Sequence, residues 1–182
     1  TRMLDKLCCS PEFLIATGRS INKERMKDQY VVLRAMAFLM LHRGEFKDIP
    51  ALQYRGDIDD FLARFMVYVN DNAPEKLIVD YENLFIRCMQ ISYDLLGENG
   101  FRFSGNGIRR PINMPLFEAL SYLFSFVPEK IDYTWVSRLI LDIESVKEEF
   151  DDSRYFSGNI DSTTSVSFRF DRMDKIINRI QL

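Results

Sequence analysis

The fold class is decided by residues 57–97, which read DIDDFLARFMVYVNDNAPEKLIVDYENLFIRCMQISYDLLG. Apolar residues recur three and four positions apart in each half, the spacing of an amphipathic helix. They are Ile58, Phe61, Leu62, Phe65, Met66 and Val69, then Leu77, Tyr81, Leu84, Phe85, Cys88, Ile91, Leu95 and Leu96. Asp57 can cap the first helix, and residues 70–73 break the pattern. Pro74 starts the second helix and Gly97 closes it. The stretch therefore predicts an antiparallel αα-hairpin.

Similar start and stop signals recur along the rest of the chain. They predict helices over 10–18, 22–44, 113–128 and about 132–150, followed by a polar loop and a last helix that carries Val166, Phe170, Met173, Ile177 and Ile180. The helix over 22–44 is apolar on more than one face, so we expect it to be central and buried. Only Phe101 and Phe103 suggest a short extended piece. We predict an all-α fold, an irregular bundle of about six to seven helices without a substantial sheet, with residues 1–182 as one domain.

Composition limits the possible functions. The chain has 182 residues, 47% of them hydrophobic, and a net charge of −3, so any contact with a nucleic acid must be local. No apolar run approaches the roughly 18 to 20 residues that span a bilayer, and we expect no membrane association. Cys8, Cys9 and Cys88 are odd in number and two are adjacent, which argues against a disulfide framework. These features favour a cytoplasmic protein.

The residues that common catalytic and metal sites need are scarce. His42 is the only histidine, so it cannot form a two-histidine zinc site or an HExxH helix. Cys8 and Cys9 lack CxxC spacing, and Glu45-Phe46-Lys47 follows a helix rather than the strand a nuclease E-x-K triplet needs. We therefore predict no catalytic residue, no metal and no cofactor, and expect that the chain by itself is not an enzyme.

Two arginine segments are candidates for phosphate contact. Gly105 and Gly107 flank Asn106, and Arg109 and Arg110 follow. Glycines let backbone amides approach an anion and arginines fork onto phosphate oxygens, although a turn with exposed arginines has the same appearance. The last helix carries basic residues three or four positions apart, which form either a phosphate-tracking face or an ordinary solvent face. They are Arg169, Arg172, Lys175 and Arg179.

Four motifs, in order, resemble those of the domain-of-unknown-function 262 family, which is related to the GmrSD-type restriction proteins. Residues 25–34, RMKDQYVVLR, look like the family's R-M-x-D-x-E-x-V-L-R helix. Residues 97–102, GENGFR, resemble G-x-x-A-F-R, with Gly100 at the alanine position. Residues 112–119, INMPLFEA, resemble I-N-x-x-L-F-E-A, and residues 165–177 are similar to the closing V-x-x-R-F-x-x-I helix.

The resemblance implies a helical region that follows a ParB-like nucleotide-binding domain, because the family's Asp-Gly-Gln-Gln-Arg motif is absent here. The chain would then be the C-terminal half of a larger protein. The resemblance implies a role in bacterial defence against foreign DNA, with NTP-dependent nuclease or NTPase activity in the full-length protein. The expected partners are its own N-terminal nucleotide-binding domain and DNA.

Within this picture we assign candidate residues to two roles. Arg102, Arg109, Arg110 and Arg169 are candidate contacts for a nucleic acid or a phosphate. Arg34, Asn113 and Glu118 are structural motif residues, with Asn113 capping its helix and Glu118 pairing with a nearby arginine. Buried ion pairs are an alternative for Arg34 and Arg102. The alternative function is a protein–protein interaction or homo-oligomerisation module, suggested by the 15 phenylalanines and the apolar stripe of the last helix.

Overall fold

The structure is a computed structural model, and it describes residues 2–21, 24–105, 108–128, 133–152 and 158–180. In these ranges it contains eight α-helices and no β-strand. They are α1 (Arg2–Cys8), α2 (Pro11–Ala16), α3 (Lys27–His42), α4 (Ile58–Asp71), α5 (Glu75–Leu96), α6 (Met114–Phe124), α7 (Tyr133–Asp151) and α8 (Thr163–Ile180). The all-α prediction is confirmed, and α1 is one helix more than the sequence patterns predicted.

Three helices begin at the residues that the sequence predicted as caps. Ser10 Oγ accepts a hydrogen bond from Phe13 N–H at 3.3 Å, and Asp57 Oδ1 accepts from Asp60 N–H at 3.0 Å. Asn113 Oδ1 accepts from Leu116 N–H at 2.9 Å. Each bond satisfies an amide of the first turn that has no partner within the helix. The predicted starts at Asn22 and Asp132 lie outside the described residues.

The helix α6 ends earlier than its sequence suggested. Pro128 was the predicted stop, but the last helical residue is Phe124. Ser125 closes the helix, because its N–H and its hydroxyl both donate to the carbonyl of Tyr122, at 3.1 and 2.7 Å. A serine that bonds back to the last turn satisfies carbonyls that would otherwise face an apolar interior.

Two helices, α3 and α6, form the centre of the core. Every residue over 31–40 of α3 and over 115–124 of α6 is buried. The helix α6 packs against α3, α5 and α8, which leaves it no solvent face. The sequence identified α3 as a central helix, and the structure adds α6 beside it.

Phenylalanine rings fill the space between these helices. Phe101 lies with its ring centroid 4.3 Å from that of Phe117, and Phe13 and Phe85 complete this group. Phe101 occupies a turn after α5, not the extended piece suggested by its sequence. The apolar stripe of α8 is also internal, and its buried members are Val166, Phe170, Met173 and Ile177. None of the described helices has both the length and the apolar character that crossing a bilayer requires.

Candidate functional site

Four charged side chains meet where α3, α6 and α8 come together. Glu118 of α6 accepts a hydrogen bond from Arg34 Nε at 2.5 Å and another from Arg169 Nη2 at 3.1 Å. Arg34 also donates to both carboxylate oxygens of Asp161, at 2.6 and 3.3 Å. Two positive and two negative charges therefore balance one another. We call these four residues the Glu118 cluster.

The Glu118 cluster lies deep in the fold. The side chains of Glu118 and Arg169 are 0% exposed, and that of Arg34 is 3% exposed. Arg169 Nη1 donates to the carbonyl of Ile160 at 2.5 Å, and the Tyr54 hydroxyl donates to the carbonyl of Asp161. Charges are tolerated in an interior only when they are paired and hydrogen-bonded. The cluster therefore fastens residues 160–161 to two central helices.

The two arginines of the cluster differ in their electrostatic environment. Burial lowers the pKa of Arg34, but the charge of Glu118 and hydrogen bonds to Asp161 and Glu118 outweigh burial, and the pKa is raised. Burial also lowers the pKa of Arg169. The charge of Glu118 offsets only part of this effect, so the pKa of Arg169 stays below its ordinary value. Arg34 contacts the carboxylates of both Glu118 and Asp161, and Arg169 contacts that of Glu118. Arg34 is thus the better compensated charge.

The prediction that Arg169 contacts a nucleic acid does not agree with its burial. Its guanidinium bonds to Glu118 and to a backbone carbonyl inside the protein, where no nucleic acid can reach it. The reason is visible in the helical period: Arg169 lies three residues after Val166 and four before Met173, on the apolar stripe of α8. The spacing that suggested a basic ridge also places this arginine inside.

Arg172, Lys175 and Arg179 form the rest of the basic ridge of α8, and their contacts differ. Arg172 bonds to Glu149, and Arg179 Nη1 bonds to Asp142 Oδ1 at 3.0 Å. Both carboxylates belong to α7, so these contacts tie α8 to α7. Lys175 is exposed between them. The ridge is therefore an inter-helix contact for much of its length rather than a continuous basic face.

Arg102 is also buried, with 4% of its surface exposed, in a turn after α5. Its guanidinium donates to the carbonyls of Thr17 at 3.2 Å and Glu98 at 3.3 Å, and to the carbonyl of Arg110 and the hydroxyl of Ser20. These bonds link α2 to the segment that follows α5. The alternative prediction for Arg102 was a buried ion pair. Arg102 is buried, but all of these acceptors are neutral. Burial, then the charge of Arg109, lowers its pKa.

Arg109 and Arg110 lie at a polar pocket of about 610 Å³. We call it the Arg109 pocket. Arg109 Nη2 pairs with Glu98 Oε2 at 2.9 Å, and Arg110 pairs with Asp151. The two arginine side chains remain 45% and 40% exposed. Ion pairs with this exposure contribute little stability and exchange readily with water or other ions. These two arginines are the predicted contacts that solvent can reach.

Lys147 of α7 also lines the Arg109 pocket, although it belongs to none of the predicted motifs. The residue is only 5% exposed, and its Nζ donates to Glu144 Oε1 at 3.0 Å and to the carbonyl of Asn99 at 3.4 Å. A signal for it existed in the sequence. Lys147 lies four residues after Ile143, on the buried face of its helix, where a lysine is unusual.

Glycines shape both sides of the Arg109 pocket. Gly18 has φ +57, and a Cβ there would lie 2.1 Å from Arg109 Nη2 and 2.8 Å from Glu98 Oε2. The ion pair thus rests directly on the Gly18 backbone. A Cβ at Gly105 would lie 2.3 Å from the Ile108 carbonyl oxygen, which makes this turn accessible only to glycine. Asn106 and Gly107, the remaining part of the predicted glycine loop, lie outside the described residues.

The only histidine is part of the aromatic core. The His42 ring stacks on Phe170 with centroids 3.5 Å apart and planes 8° from parallel. Its Nε2 is buried and has no hydrogen-bond partner among the described residues. Burial, followed by the charge of Arg169, lowers the pKa of His42 to about 3. The imidazole is therefore neutral at pH 7, and its half-buried ring contacts the rings of Phe38, Tyr122 and Phe170.

The described part of the chain contains no cluster of three His, Cys, Asp or Glu side chains that could hold a metal ion. Burial raises the pKa of the Cys88 thiol to about 12, so this thiol is protonated at neutral pH. The Glu118 cluster inside the fold and the Arg109 pocket at its surface bring together all the predicted site residues except Asn113.

The chain matches no family model, no curated protein and no solved structure. The described residues thus form a helical fold in which a buried ion-pair cluster joins the central helices. A second feature, the Arg109 pocket, is formed by the segment after α5 and by α7.

Proposed function

We propose that the chain is the helical region of an NTP-dependent, restriction-like bacterial defence protein, where it supports a nucleotide-binding domain and contacts DNA. The observation that carries this proposal is the meeting of family-like motifs in space. Arg34, Glu118 and Arg169 come from three motifs that lie far apart in the sequence, and they form one buried cluster. Motif residues that keep the same order along the chain and contact one another in the core are expected of a scaffold that a family shares.

The motif GENGFR has a similar structural place. The Phe101 ring packs on Phe117, and the Phe101 carbonyl accepts a hydrogen bond from Asn113 N–H at 3.0 Å. Arg102 joins this turn to α2. The motif residues thus hold the fold together, which supports a scaffolding role. Arg109 and Arg110, which lie between two motifs, stay exposed for a partner.

DNA is the partner that these exposed arginines favour. Guanidinium groups bind phosphate oxygens in a fork, and each phosphate contact releases counterions from the duplex. The net charge of the chain is −3, so the attraction must come from a local surface. The Arg109 pocket supplies such a surface, with Lys147 and Arg102 behind the two exposed arginines.

The first test is fluorescence anisotropy of a labelled duplex without terminal phosphates, titrated with the protein. We expect weak binding that declines steeply as salt rises from about 50 to about 200 mM. The double variant Arg109→Gln, Arg110→Gln should bind less tightly and with a shallower salt dependence. The matched control is Arg55→Gln, Lys76→Gln, which removes two exposed cations that do not line the pocket. Equal binding by both double variants would remove DNA contact from the proposal.

The defence role needs a test in cells. We expect bacteria that carry the natural gene to give fewer plaques, or fewer transformants with foreign DNA, than bacteria that lack it. The Arg109→Gln, Arg110→Gln variant should lose this protection at an unchanged protein level. Full protection by the variant would mean that the defence role does not use the Arg109 pocket.

The alternative of an oligomerisation module has less support from the fold. The two features that suggested it, the many phenylalanines and the apolar stripe of α8, are used inside the chain. Eleven phenylalanines are among the largest fully buried side chains of the described residues. We therefore favour the first proposal, and light scattering of the protein across a concentration series tests the alternative directly.

A further inference from the structure

The Arg109 pocket combines four cations from separate parts of the chain. Arg102, Arg109 and Arg110 come from the segment after α5, and Lys147 comes from α7. Two of them, Arg102 and Lys147, are at most 5% exposed, whereas the other two are at the surface. Buried cations normally face carboxylates. A surface pocket that joins buried and exposed cations therefore needs an explanation.

Arg102 contributes a charge that forms no ion pair with any described residue. Each of its hydrogen bonds goes to a backbone carbonyl or a hydroxyl, and no described carboxylate bonds to it. Its pKa is lowered first by burial and then by the neighbouring charge of Arg109. The second cause is a repulsion between two guanidinium groups. The charge of Glu98 offsets part of this repulsion, and a bound anion at the pocket would add to that attraction.

The carboxylates around the pocket do not exclude an anion. Glu98 pairs with Arg109, Glu144 with Lys147 and Asp151 with Arg110. The carboxylate side chains are 54%, 41% and 33% exposed, so all can turn towards water. A phosphate monoester carries about −1.5 to −2 charges at pH 7 and three acceptor oxygens. It can therefore compete with a single carboxylate for these cations.

Backbone geometry keeps the cations at the pocket. Gly105 allows a turn in which the carbonyl of Ile108 approaches the Cα of Gly105. Arg110 Cζ lies 5.3 Å from the centroid of the Phe103 ring. Gly18 supports Arg109 from below. Ile108 is 79% exposed beside the pocket and offers an apolar contact next to the charges. A ligand with a phosphate at one end and a flat, less polar group at the other fits this arrangement.

We infer that the Arg109 pocket binds the terminal phosphate of a nucleotide or of a nucleic-acid strand, through Lys147 and Arg102 at its base and Arg109 and Arg110 at its rim. The inference rests on the proposed function, because it names the part of the nucleic acid that the same site takes. A terminal phosphate suits the site better than an internal diester, since a diester carries one charge and cannot use all four cations.

The test uses isothermal titration calorimetry with inorganic phosphate, ATP, and one oligonucleotide prepared with a 5′-phosphate and with a 5′-hydroxyl. We expect phosphate and ATP to bind, and the 5′-phosphate strand to bind more tightly than the 5′-hydroxyl strand. Lys147→Gln should weaken binding roughly tenfold, the effect of one charged hydrogen bond. The control Lys175→Gln removes an exposed lysine of α8 and should leave binding unchanged.

Arg110→Gln is the second variant, because its side chain is exposed and its loss should not unfold the protein. Absence of heat with both phosphate and ATP, or unchanged binding by the Lys147 and Arg110 variants, would overturn the inference. Preference for the 5′-phosphate strand with no ATP binding identifies a strand end as the source, and the reverse identifies a nucleotide. Duplex binding without any terminal-phosphate effect would retain the proposed function and reject this inference. Phosphate binding without DNA binding would retain this inference and reject the proposed contact with DNA.

Discussion

Glu118 and Arg169 form an ion pair, 3.1 Å between Oε2 and Nη2, in which neither side chain is exposed to solvent. The pair joins α6 to α8, and Arg34 extends it to α3. A buried pair adds little stability compared with apolar residues of the same size, but the loss of one partner is costly. The pair therefore makes the arrangement of three helices depend on matched charges.

Glu118→Gln should strongly destabilise the protein. The substitution keeps the side-chain shape but leaves two buried guanidinium groups with one fewer carboxylate, at a cost of about 3 to 5 kcal/mol in the free energy of unfolding. Urea denaturation measures this value. The control is Glu98→Gln, which removes a half-exposed partner of Arg109 and should cost less than about 1 kcal/mol. Similar losses for both variants would mean that Glu118 contributes no more to the free energy of unfolding than the half-exposed Glu98.

His42 should make the protein less stable in mild acid. Its pKa is lowered to about 3 in the folded protein from an ordinary value of 6.5, so only the unfolded chain takes up a proton between these values. The contribution of His42 to the free energy of unfolding is therefore lost as the pH falls below about 6.5, by about 2 kcal/mol between pH 7 and pH 5.

The variant His42→Phe isolates that effect, because it keeps a ring against Phe170 and removes the titrating group. Urea denaturation of both proteins at several pH values gives the difference in unfolding free energy. The wild type should lose stability relative to the variant as the pH falls from 7 to 5. Parallel pH profiles would show that His42 is protonated in the folded protein as easily as in the unfolded chain.

Gly100→Ala should destabilise this chain, although the motif that residues 97–102 resemble has alanine at this position. Gly100 has helical torsion angles, so alanine is allowed by the backbone, but its Cβ would lie 2.6 Å from Ser92 Oγ. Ser92 is 0% exposed, and its hydroxyl has no partner among the described residues. We expect a loss of about 1 to 2 kcal/mol from overpacking.

The matched variant Ser92→Ala removes the hydroxyl and with it the collision. Alone it should be neutral or slightly stabilising, because it eliminates a buried polar atom without a partner. The double variant should be more stable than Gly100→Ala, and thermal or urea denaturation of all four proteins completes the cycle. Additive effects would show that the two positions are not in contact.

Gly18→Ala should disturb the Arg109 pocket from beneath. The new Cβ would occupy the position of Arg109 Nη2, and the residue would keep φ +57, which costs a non-glycine residue about 1 to 2 kcal/mol. Gly44→Ala is the control, because Gly44 has φ +86 but nothing within 4 Å of its Cβ position. Both should be less stable by denaturation, but only Gly18→Ala should alter DNA binding. Equal DNA binding by the two would mean that Gly18 does not position Arg109.

The local signals in the sequence predicted much of the fold. Caps at Ser10, Asp57 and Asn113 were readable because a cap acts on amides two or three residues away. The sequence does not predict α1, since its seven residues are too few to show a helical period. The end of α6 was placed too late, because the hydrogen bonds of Ser125, not the proline, close that helix.

The candidate site was harder to predict. The charge and spacing of Arg169 predict a surface cation, but its position on the apolar stripe of α8 places it inside. Asp161 gives no signal in the sequence, since it lies in a polar loop and its carboxylate is paired with the distant Arg34. The helical position of Lys147, four residues after Ile143, predicts a buried side chain, whereas its charge predicts an exposed one.

The amino-acid sequence by itself therefore determined the helices, their caps and which faces are apolar, because these depend on contacts within a few residues. Only the tertiary structure decided which charges are paired and which are exposed. Arg109 and Arg169 are the same residue type, yet one reaches solvent and the other is sealed against Glu118. The physical reason is that the state of a charge depends on its dielectric surroundings and its counter-ions, and distant parts of the chain supply both.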